Sequence, residues 1–234
     1  MRQLLPTRID QVDPAGAYAD LPGIAHRPAV RLNMIASVDG ATAVGDVSGG
    51  LGGPADKQVF GVLRSLADVV LVAAGTVRAE QYGPSDVPIA VVTRTAQLDW
   101  RSPVFTMARA RPIVLTVDDA PAESLRRAAE VADVIVVGSG GVDFGRALNE
   151  LGGRGHHHVL AEGGPTLNGQ LALAGVIDEL CLTLSPKLAA GSAKRIIAGP
   201  ALPTPTPLSL HSIFEDNGYL FLRYRTGSVI GNAT

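Results

Sequence analysis

The chain has 234 residues, of which 46% are hydrophobic and 18% are charged, and its formal net charge at pH 7 is -2. This composition indicates a globular protein, and the absence of a basic stretch argues against nucleic acid and anionic membranes as partners. The single cysteine, Cys181, excludes an intramolecular disulfide and a cysteine-rich zinc site. Because no window approaches about 20 apolar residues and the first residues lack a signal-peptide core, we expect a cytoplasmic protein.

The beginning of the chain contains an arm, a strand and a glycine-rich loop. Residues 1–27 are rich in Pro, Gly and Asp with little periodicity, so we expect an arm that packs on the surface or reaches a partner. Alternating side chains predict a strand from Ala29 to Ser37. The segment 43–54 carries Gly45, Gly49, Gly50, Gly52 and Gly53, which predicts a mobile loop of the kind that often acts as a lid.

Short apolar runs then alternate with helical patterns. The predicted strands are 69–73, 89–92, 113–117, 134–137, 159–161 and 180–184, and the predicted helices are 54–67, 77–81, 121–130, 142–152 and one from Pro165. A final hairpin joins 208–214 to 219–224 through Asp216-Asn217-Gly218. We therefore predict an α/β fold in three layers, with a mostly parallel sheet and an antiparallel C-terminal hairpin. The predicted domain spans residues 28–226, followed by a tail at 227–234.

The stretch from His158 to Leu171 is the most informative part of the sequence. An apolar run ends at Glu162, the pair Gly163-Gly164 follows, and a helical pattern begins at Pro165. Two glycines permit a positive φ and close approach of a ligand to the backbone, while a helix N-terminus offers free N–H groups to an anion. The pattern is typical of a phosphate-binding turn, although a glycine pair after a strand is also common where no phosphate binds.

Polar residues follow the carboxyl ends of several predicted strands. Such ends face one crevice in an open α/β sheet, so one extended ligand, such as a dinucleotide, could contact them together. The set comprises Ser37, Asp39, Ser48, Gly50, Gly75, Thr76, Glu80, Thr93, Arg94 and 162–167. The G-x-G-x-x-G fingerprint is absent near the first strand, which argues against an ordinary Rossmann dehydrogenase. We expect no metal site, because neighbours in the triplet 156–158 point to alternate faces of an extended segment.

Four segments in matching order resemble the C-terminal reductase domain of the bifunctional riboflavin-biosynthesis deaminase/reductase. They are 36–40, 63–72 leading into Gly75-Thr76-Val77, 162–167, and 178–180 leading to Ser185-Pro186. The similarity runs from about residue 29 to about residue 225, and the chain looks most like the stand-alone actinobacterial pyrimidine-reductase branch. The resemblance implies a dihydrofolate-reductase-like fold and a homodimer built on the antiparallel edge of the sheet.

The resemblance also implies an activity and a set of site residues. The activity is NADPH-dependent hydride transfer to a 5-amino-6-ribosylamino-pyrimidinedione phosphate in riboflavin biosynthesis. Cofactor contacts fall on Ala36, Gly50, Thr76, Glu80 and residues 164–170, which include Gly164, Pro165, Thr166 and Leu167. Gly163 of the same turn is a further cofactor candidate. Substrate contacts fall on Ser48, Arg64 and Glu162, where Arg64 could grip a phosphate with two hydrogen bonds. Glu162 and Glu80 are the candidate catalytic residues.

Other candidates come from residue chemistry or from departures from the family. Thr93 and Arg94 are candidates for the 2′-phosphate of NADPH, because Arg suits phosphate geometry. Asn33, Ser37 and Asp39 are candidates for the substrate, with Asn33 standing where the family often has Lys. Glu80 replaces the usual Asp, and the family's second substrate Arg has no clear counterpart in the segment 82–84.

Several alternatives remain open at the level of sequence. Arg64 could pair with Asp68 at i,i+4 on its helix, and Asp39 could be only a turn residue. The same fold could reduce dihydrofolate, or the chain could be a non-catalytic NADP-binding module. The presence of Ser48, Arg64 and Glu162 favours an enzyme over such a module.

Overall fold

A computed structural model describes residues 1–21 and 23–227, and it contains one ten-stranded sheet with helices on both faces. The strands are β1 (Arg2–Leu5), β2 (Ala29–Ser37), β3 (Val69–Ala73), β4 (Ile89–Val92), β5 (Ile113–Thr116), β6 (Asp133–Val136), β7 (His158–Ala161), β8 (Glu179–Ser185), β9 (Leu208–Asp216) and β10 (Tyr219–Thr226). The helices are α1 (Pro14–Tyr18), α2 (Pro54–Ser65), α3 (Ala74–Ala79), α4 (Pro103–Thr106), α5 (Ala122–Val131), α6 (Phe144–Gly153) and α7 (Pro165–Leu173).

The sheet has the strand order β1-β9-β10-β8-β2-β7-β3-β4-β5-β6. The run from β8 to β6 is parallel, whereas β10 is antiparallel to β8 and β9, and β1 is antiparallel to β9. The tight turn of the last hairpin uses Asn217 and Gly218, whose φ angles of 51° and 82° suit the right-handed twist of the two strands. The predicted α/β fold with an antiparallel C-terminal hairpin is confirmed.

Two apolar layers sandwich the parallel strands. On one face α6 and α7 pack on side chains such as Leu32, Leu71 and Leu115. On the other face α1, α2, α3 and α4 pack on alternate side chains of the same strands, such as Val70 and Val72. Because both faces are covered, these central strands consist of continuous apolar runs rather than alternating ones. No helix within residues 1–21 and 23–227 has the length and apolarity to cross a bilayer.

The arm contains regular structure that periodicity did not predict. Its strand β1 extends the sheet beyond β9, and α1 places Tyr18 in the core with 1% of its surface exposed. The ring of Tyr18 lies 5.0 Å from the guanidinium of Arg223 and 5.9 Å from that of Arg31. These contacts are distant in sequence, which explains why the local pattern was uninformative. Of the predicted tail at 227–234, all but residue 227 lies outside the described residues.

A buried ionic cluster fixes the arm to the sheet. Glu179 on β8 is fully buried and accepts hydrogen bonds from Arg31, Arg223 and Arg225. The same three arginines donate to backbone carbonyls of the arm, including that of Asp20. A buried carboxylate is tolerated only when its partners satisfy it, so the cluster and the arm depend on each other.

Boundary differences have simple causes. The predicted helix 77–81 begins three residues earlier, at Ala74, because β3 runs directly into α3 without a loop. The short helix α4 lies in a segment whose helical pattern is too brief to detect from periodicity. The glycine loop is anchored at several points: the carbonyl of Leu51 accepts hydrogen bonds from Ser185 and Tyr219, and the carbonyl of Gly50 accepts one from Lys187.

Candidate functional site

A cavity of about 450 Å³ lies at the carboxyl ends of β2, β3 and β7, between the sheet and α2. Open α/β sheets bind ligands at this edge. The structure brings eight of the predicted site residues to its wall: Asn33, Ser48, Arg64, Thr76, Glu80, Glu162, Gly164 and Pro165. A second cavity of about 530 Å³ shares Thr42, Ala43, Asp46 and Pro165 with the first, so the two lie side by side.

Glu162 occupies the centre of the cavity wall and is held by two side chains. Arg64 donates from Nε to Oε1 and from Nη2 to Oε2 of Glu162, each at 2.7 Å. The hydroxyl of Tyr82 donates to Oε2 at 2.5 Å. Burial, and next the charge of Glu162, hold the pKa of Tyr82 well above its usual value, so the phenol keeps its proton. The result is a fixed, charge-assisted carboxylate that faces the ligand space.

The partner of Arg64 resolves one alternative. The alternative that Arg64 pairs with Asp68 is wrong. Arg64 binds Glu162, and Asp68 accepts hydrogen bonds from the N–H groups of His157 and His158, each at 2.8 Å. The interaction of Arg64 with Glu162 occupies the Nε/Nη2 edge of the guanidinium and leaves the Nη1/Nη2 edge for a ligand. Substrate contact by Arg64 therefore stays a prediction that the geometry permits.

Three further carboxyl groups line the cavity, those of Asp46, Asp56 and Glu80. Glu80 accepts a hydrogen bond from the N–H of Ser48 at 2.7 Å, which ties the glycine loop to the end of α3. Asp56, in the first turn of α2, has no cation partner among the described side chains. Burial raises the pKa of Asp56, and a hydrogen bond with Thr183 lowers it in part. A ligand with two adjacent N–H groups would satisfy this carboxyl group.

The sequence analysis missed Asp56 and Tyr82. A signal for Asp56 exists, because Asp56, Phe60 and Arg64 recur at four-residue spacing on one face of α2. That face lies beside the apolar one formed by Val59 and Leu63. Tyr82 lies in a loop, where no periodic pattern indicates the direction of a side chain.

In the turn between β7 and α7 the backbone lies close to the side chains of Thr76 and Met34. Gly163 has a φ of 86°, and Gly163-Gly164 is a cis peptide bond. A Cβ atom on Gly164 would lie 2.8 Å from Oγ1 of Thr76, and one on Gly163 would lie 3.3 Å from Sδ of Met34. The turn leads into the nine-residue helix α7, whose first residue is Pro165. Lys194 lies at the same helix start, with Nζ 3.2 Å from Oγ1 of Thr166.

The remaining predicted site residues lie outside the wall of the main cavity. Asp39 accepts hydrogen bonds from Ser37 and from the N–H groups of Ala189 and Ala190, and these bonds lower its pKa to about 2. Asp39 and Ser37 thus brace the loop after β8. The others are Ala36 and Leu167, which are buried, Thr93, which caps a turn through Ala96, and Gly50, Arg94, Gly163 and Thr166. Their roles stay predictions.

The described residues contain no group of three or more His, Cys, Asp and Glu side chains that could hold a metal ion. His158 instead lies 3.5 Å from Asp68 through Nδ1. The glycine turn at a helix start, beside a polar cavity on a parallel sheet, fits a dinucleotide, because the free N–H groups of a helix start can bind a phosphate group. Fold and site together fit a protein that binds a nucleotide at the carboxyl edge of its sheet.

Residues 28–220 match the sequence model described as the RibD C-terminal domain, and the chain belongs to this family. It is 30% identical over 186 residues to a protein from Aquifex aeolicus, covering 74% of this chain and 83% of the relative. It is 29% identical over 182 residues to one from Methanothermobacter thermautotrophicus, covering 73% and 83%. Both relatives are named 2,5-diamino-6-ribosylamino-4(3H)-pyrimidinone 5′-phosphate reductase. The predicted family and the oxidoreductase class are confirmed.

Solved structures support the same fold. A pyrimidine reductase-like protein from Corynebacterium diphtheriae superimposes with a TM-score of 0.77 at 24% identity, covering 86% of this chain and 92% of that one. A dihydrofolate reductase from Enterococcus faecalis superimposes with a TM-score of 0.51 at 10% identity, covering 86% and 97%. The predicted dihydrofolate-reductase-like fold is confirmed. A reductase with this fold uses a nicotinamide cofactor.

Proposed function

We propose that the protein is an NADPH-dependent reductase of riboflavin biosynthesis that acts on a ribosylamino-pyrimidine 5′-phosphate. The observation that carries the proposal is the cavity that joins the fixed carboxylate of Glu162 to the glycine turn before α7. The reaction opens the ribose ring and yields a ribitylamino chain: C1′ gains a hydride and the former ring oxygen gains a proton. The hydride comes from the nicotinamide, which NADPH supplies when it is bound.

The cofactor's phosphates are assigned to the second cavity, at the start of α7. The N–H groups of the turn Gly163-Gly164 and of the helix start would hold the pyrophosphate. Lys194 adds a cation at the same helix start. A positive charge there is favourable only if an anion lies between the ammonium group and the positive end of the helix dipole. Arg94 stays our candidate for the 2′-phosphate that distinguishes NADPH from NADH.

Glu162 and Asp56 are assigned to the pyrimidine ring. An ionised carboxylate accepts hydrogen bonds and donates none, so each carboxyl group selects a donor on the ring. The ring named for both relatives carries adjacent donors, the N3–H and the 2-amino group, which match the two oxygens of Asp56. The pyrimidinedione expected from the sequence carries an oxygen in place of that amino group, and this oxygen would repel an ionised Asp56. We therefore assign the 2,5-diamino ring as the substrate.

The 5′-phosphate is assigned to the free Nη1/Nη2 edge of Arg64. The Nε/Nη2 edge of this guanidinium is engaged by Glu162, and its Cζ lies 4.5 Å from the ring centroid of Phe60 and 5.2 Å from that of Tyr82. A guanidinium held by one carboxylate and two rings is preorganised, so it loses little freedom when it binds a phosphate.

Dihydrofolate is the second candidate substrate. It shares the 2-amino-4-oxo ring edge that Asp56 would select, and it needs no cation for a ribose phosphate. The two candidates differ in their use of Arg64, because only the phosphorylated pyrimidine requires its free edge.

The test is NADPH oxidation by the purified protein, with the 2,5-diamino pyrimidine, the pyrimidinedione and dihydrofolate supplied separately. We expect turnover of the 2,5-diamino compound with the highest kcat/KM, and a loss of that turnover in Arg64→Ala. Turnover of dihydrofolate alone would move the assignment to folate reduction. Tight NADPH binding without oxidation of any of the three would support a non-catalytic module and overturn the proposal.

A homodimer is proposed on the face of β8, β10, β9 and β1 that α6 and α7 leave open. Leu182, Leu222, Ile213 and Leu5 are directly opposite one another across these four strands and form an apolar row. Leu208 and Leu210, 43% and 42% exposed, extend the patch. Contiguous apolar surface of this kind is typical of subunit contacts.

Cys181 points to the opposite face, into the core beside Tyr18. We place the enzyme in the cytoplasm, where a reducing environment keeps this thiol free.

A further inference from the structure

Tyr82 contacts Glu162 but belongs to none of the residue sets inferred from the sequence. We propose that Tyr82 is a positioning residue: its hydroxyl and the guanidinium of Arg64 together fix the carboxylate of Glu162 so that a single acceptor position faces the ligand. The identity of the substrate in this inference rests on the proposed function, whereas the geometry of the three side chains does not.

The acceptor positions of Glu162 can be counted. An ionised carboxylate has about four lone-pair positions, two on each oxygen. Nε of Arg64 takes one position on Oε1, and Nη2 of Arg64 takes one on Oε2, each at 2.7 Å. The hydroxyl of Tyr82 takes the second position on Oε2 at 2.5 Å. One position on Oε1 is left, so the carboxylate offers a ligand one hydrogen bond in one direction.

Without the hydroxyl of Tyr82, Oε2 would regain a free lone pair. The carboxylate could then accept a ligand donor at either oxygen, and the substrate could bind in more than one orientation. Hydride transfer needs the reacting atoms held within a narrow range of distance and direction, so a second orientation lowers the rate more than the affinity. The expected signature is therefore a loss in kcat.

Tyr82 is suited to a donor role. The phenol keeps its proton across the neutral range, because burial and the charge of Glu162 raise its pKa. Its ring also packs on the guanidinium of Arg64, which contacts the ring of Phe60 as well. The backbone turns through Gln81, at a φ of 50°, and the N–H of Tyr82 bonds to the carbonyl of Val77 at 3.3 Å. The loop thus directs the hydroxyl into the cavity.

The ring of Tyr82 is half-buried beside an apolar cluster, so Tyr82 could serve packing alone. That alternative predicts a different result. Tyr82→Phe keeps the ring and its contact with Arg64 and removes only the hydroxyl. Tyr224→Phe is the matched control, since Tyr224 lies on the other face of the sheet, beside the other core cluster. If packing is the whole role, both variants behave as wild type.

The first experiment compares steady-state kinetics of these variants with the substrate that the wild type reduces. For Tyr82→Phe we expect kcat to fall about tenfold, because one hydrogen bond to a charged group is lost. We expect the KM for NADPH to stay unchanged. An unchanged kcat in Tyr82→Phe would overturn the inference, and so would an equal loss of kcat in Tyr224→Phe.

The second experiment needs no substrate. In protein labelled with ¹³C at glutamate side chains, the Glu162 carboxyl signal is assigned by comparison with Glu162→Gln, and its chemical shift is compared at one neutral pH in the wild type, Tyr82→Phe and Tyr224→Phe. The other charged groups around it are Arg64 on α2, Asp56 on α2, Glu80 at the end of α3, and Asp46 in the glycine loop.

We expect the Glu162 signal to shift in Tyr82→Phe, because the carboxylate loses a hydrogen bond, and to keep its position in Tyr224→Phe. An unchanged signal in both variants would overturn the inference. A shifted signal in a protein that reduces none of the three candidate substrates would refute the proposed function and leave the positioning role intact.

Discussion

Substitution of Asp56 by Asn tests how the enzyme distinguishes the two pyrimidines. Asn has nearly the shape of Asp, so the cavity keeps its volume, but an NH₂ group replaces one of the two acceptor oxygens. That NH₂ group would face the 2-amino group or the N3–H of the 2,5-diamino ring, donor against donor. The pyrimidinedione has an oxygen in place of the amino group, and it would gain a partner in the same position.

The size of the effect follows from the bond that is lost. A hydrogen bond to a charged group in a buried site contributes about 1.5–3 kcal/mol, which corresponds to about a 10-fold to 150-fold change in kcat/KM. We expect a loss of this size for the 2,5-diamino substrate in Asp56→Asn, with the pyrimidinedione unchanged or improved. Thr183→Val removes the hydroxyl that bonds to Asp56, and we expect a smaller change in the same direction.

Stability provides an internal control for this variant. Burial raises the pKa of Asp56 in the folded state, so the unfolded chain loses this proton at lower pH than the folded protein does. The ionised group therefore destabilises the fold at pH 7, and Asp56→Asn should unfold at an equal or higher temperature than the wild type. NADPH oxidation with both pyrimidines measures the selectivity, and an equal loss for the two, or no loss for either, would refute the role of Asp56.

Three further predictions concern the rest of the molecule. Glu179→Ala leaves buried arginines without a partner and should lower the free energy of unfolding in urea by about 3–5 kcal/mol, whereas Glu123→Ala at an exposed ion pair should change it by less than about 1 kcal/mol. Comparable values would contradict the importance of the buried cluster. Asp39 has a folded-state pKa of about 2, so its stabilising effect is complete above the ordinary value of 3.8 and is lost as the pH falls towards 2. The stability difference between the wild type and Asp39→Asn should therefore shrink over that window, and a constant difference would argue against the pKa shift. Leu222→Glu should halve the mass measured by light scattering, and an unchanged mass would exclude the β8-β10-β9-β1 face as the dimer contact.

Local patterns were sufficient for strands β2 to β10 of the sheet and for most of its helices. The buried runs of β3 to β5 and the helical spacing of α2 and α6 depend on residues close in sequence, so periodicity identified them. The glycine turn at Gly163-Gly164 was likewise visible, because its conformation needs the residue type found there.

The contacts that define the site and the arm join residues far apart in sequence. Arg64 and Glu162 are 98 positions apart, and nothing near Arg64 distinguishes this partner from Asp68 or a phosphate. The residues next to Tyr18 in sequence do not indicate that its ring is buried. The guanidinium groups that lie over this ring belong to Arg31 on β2 and Arg223 on β10. Tyr82 depends on a reversal at Gln81, a residue that is not a usual choice for a positive φ. These features are set by tertiary packing, which a single sequence does not display.

The most direct test of the proposed reduction follows the hydride itself. NADPH carrying deuterium at C4 of the nicotinamide, prepared in each of its two stereochemical forms, is incubated with the enzyme and the 2,5-diamino substrate, and the product is examined by mass spectrometry. The account predicts that one of the two forms yields a product heavier by one mass unit, with the deuterium in the ribityl chain. A product without deuterium from either form, or deuterium located in the pyrimidine ring, would contradict it.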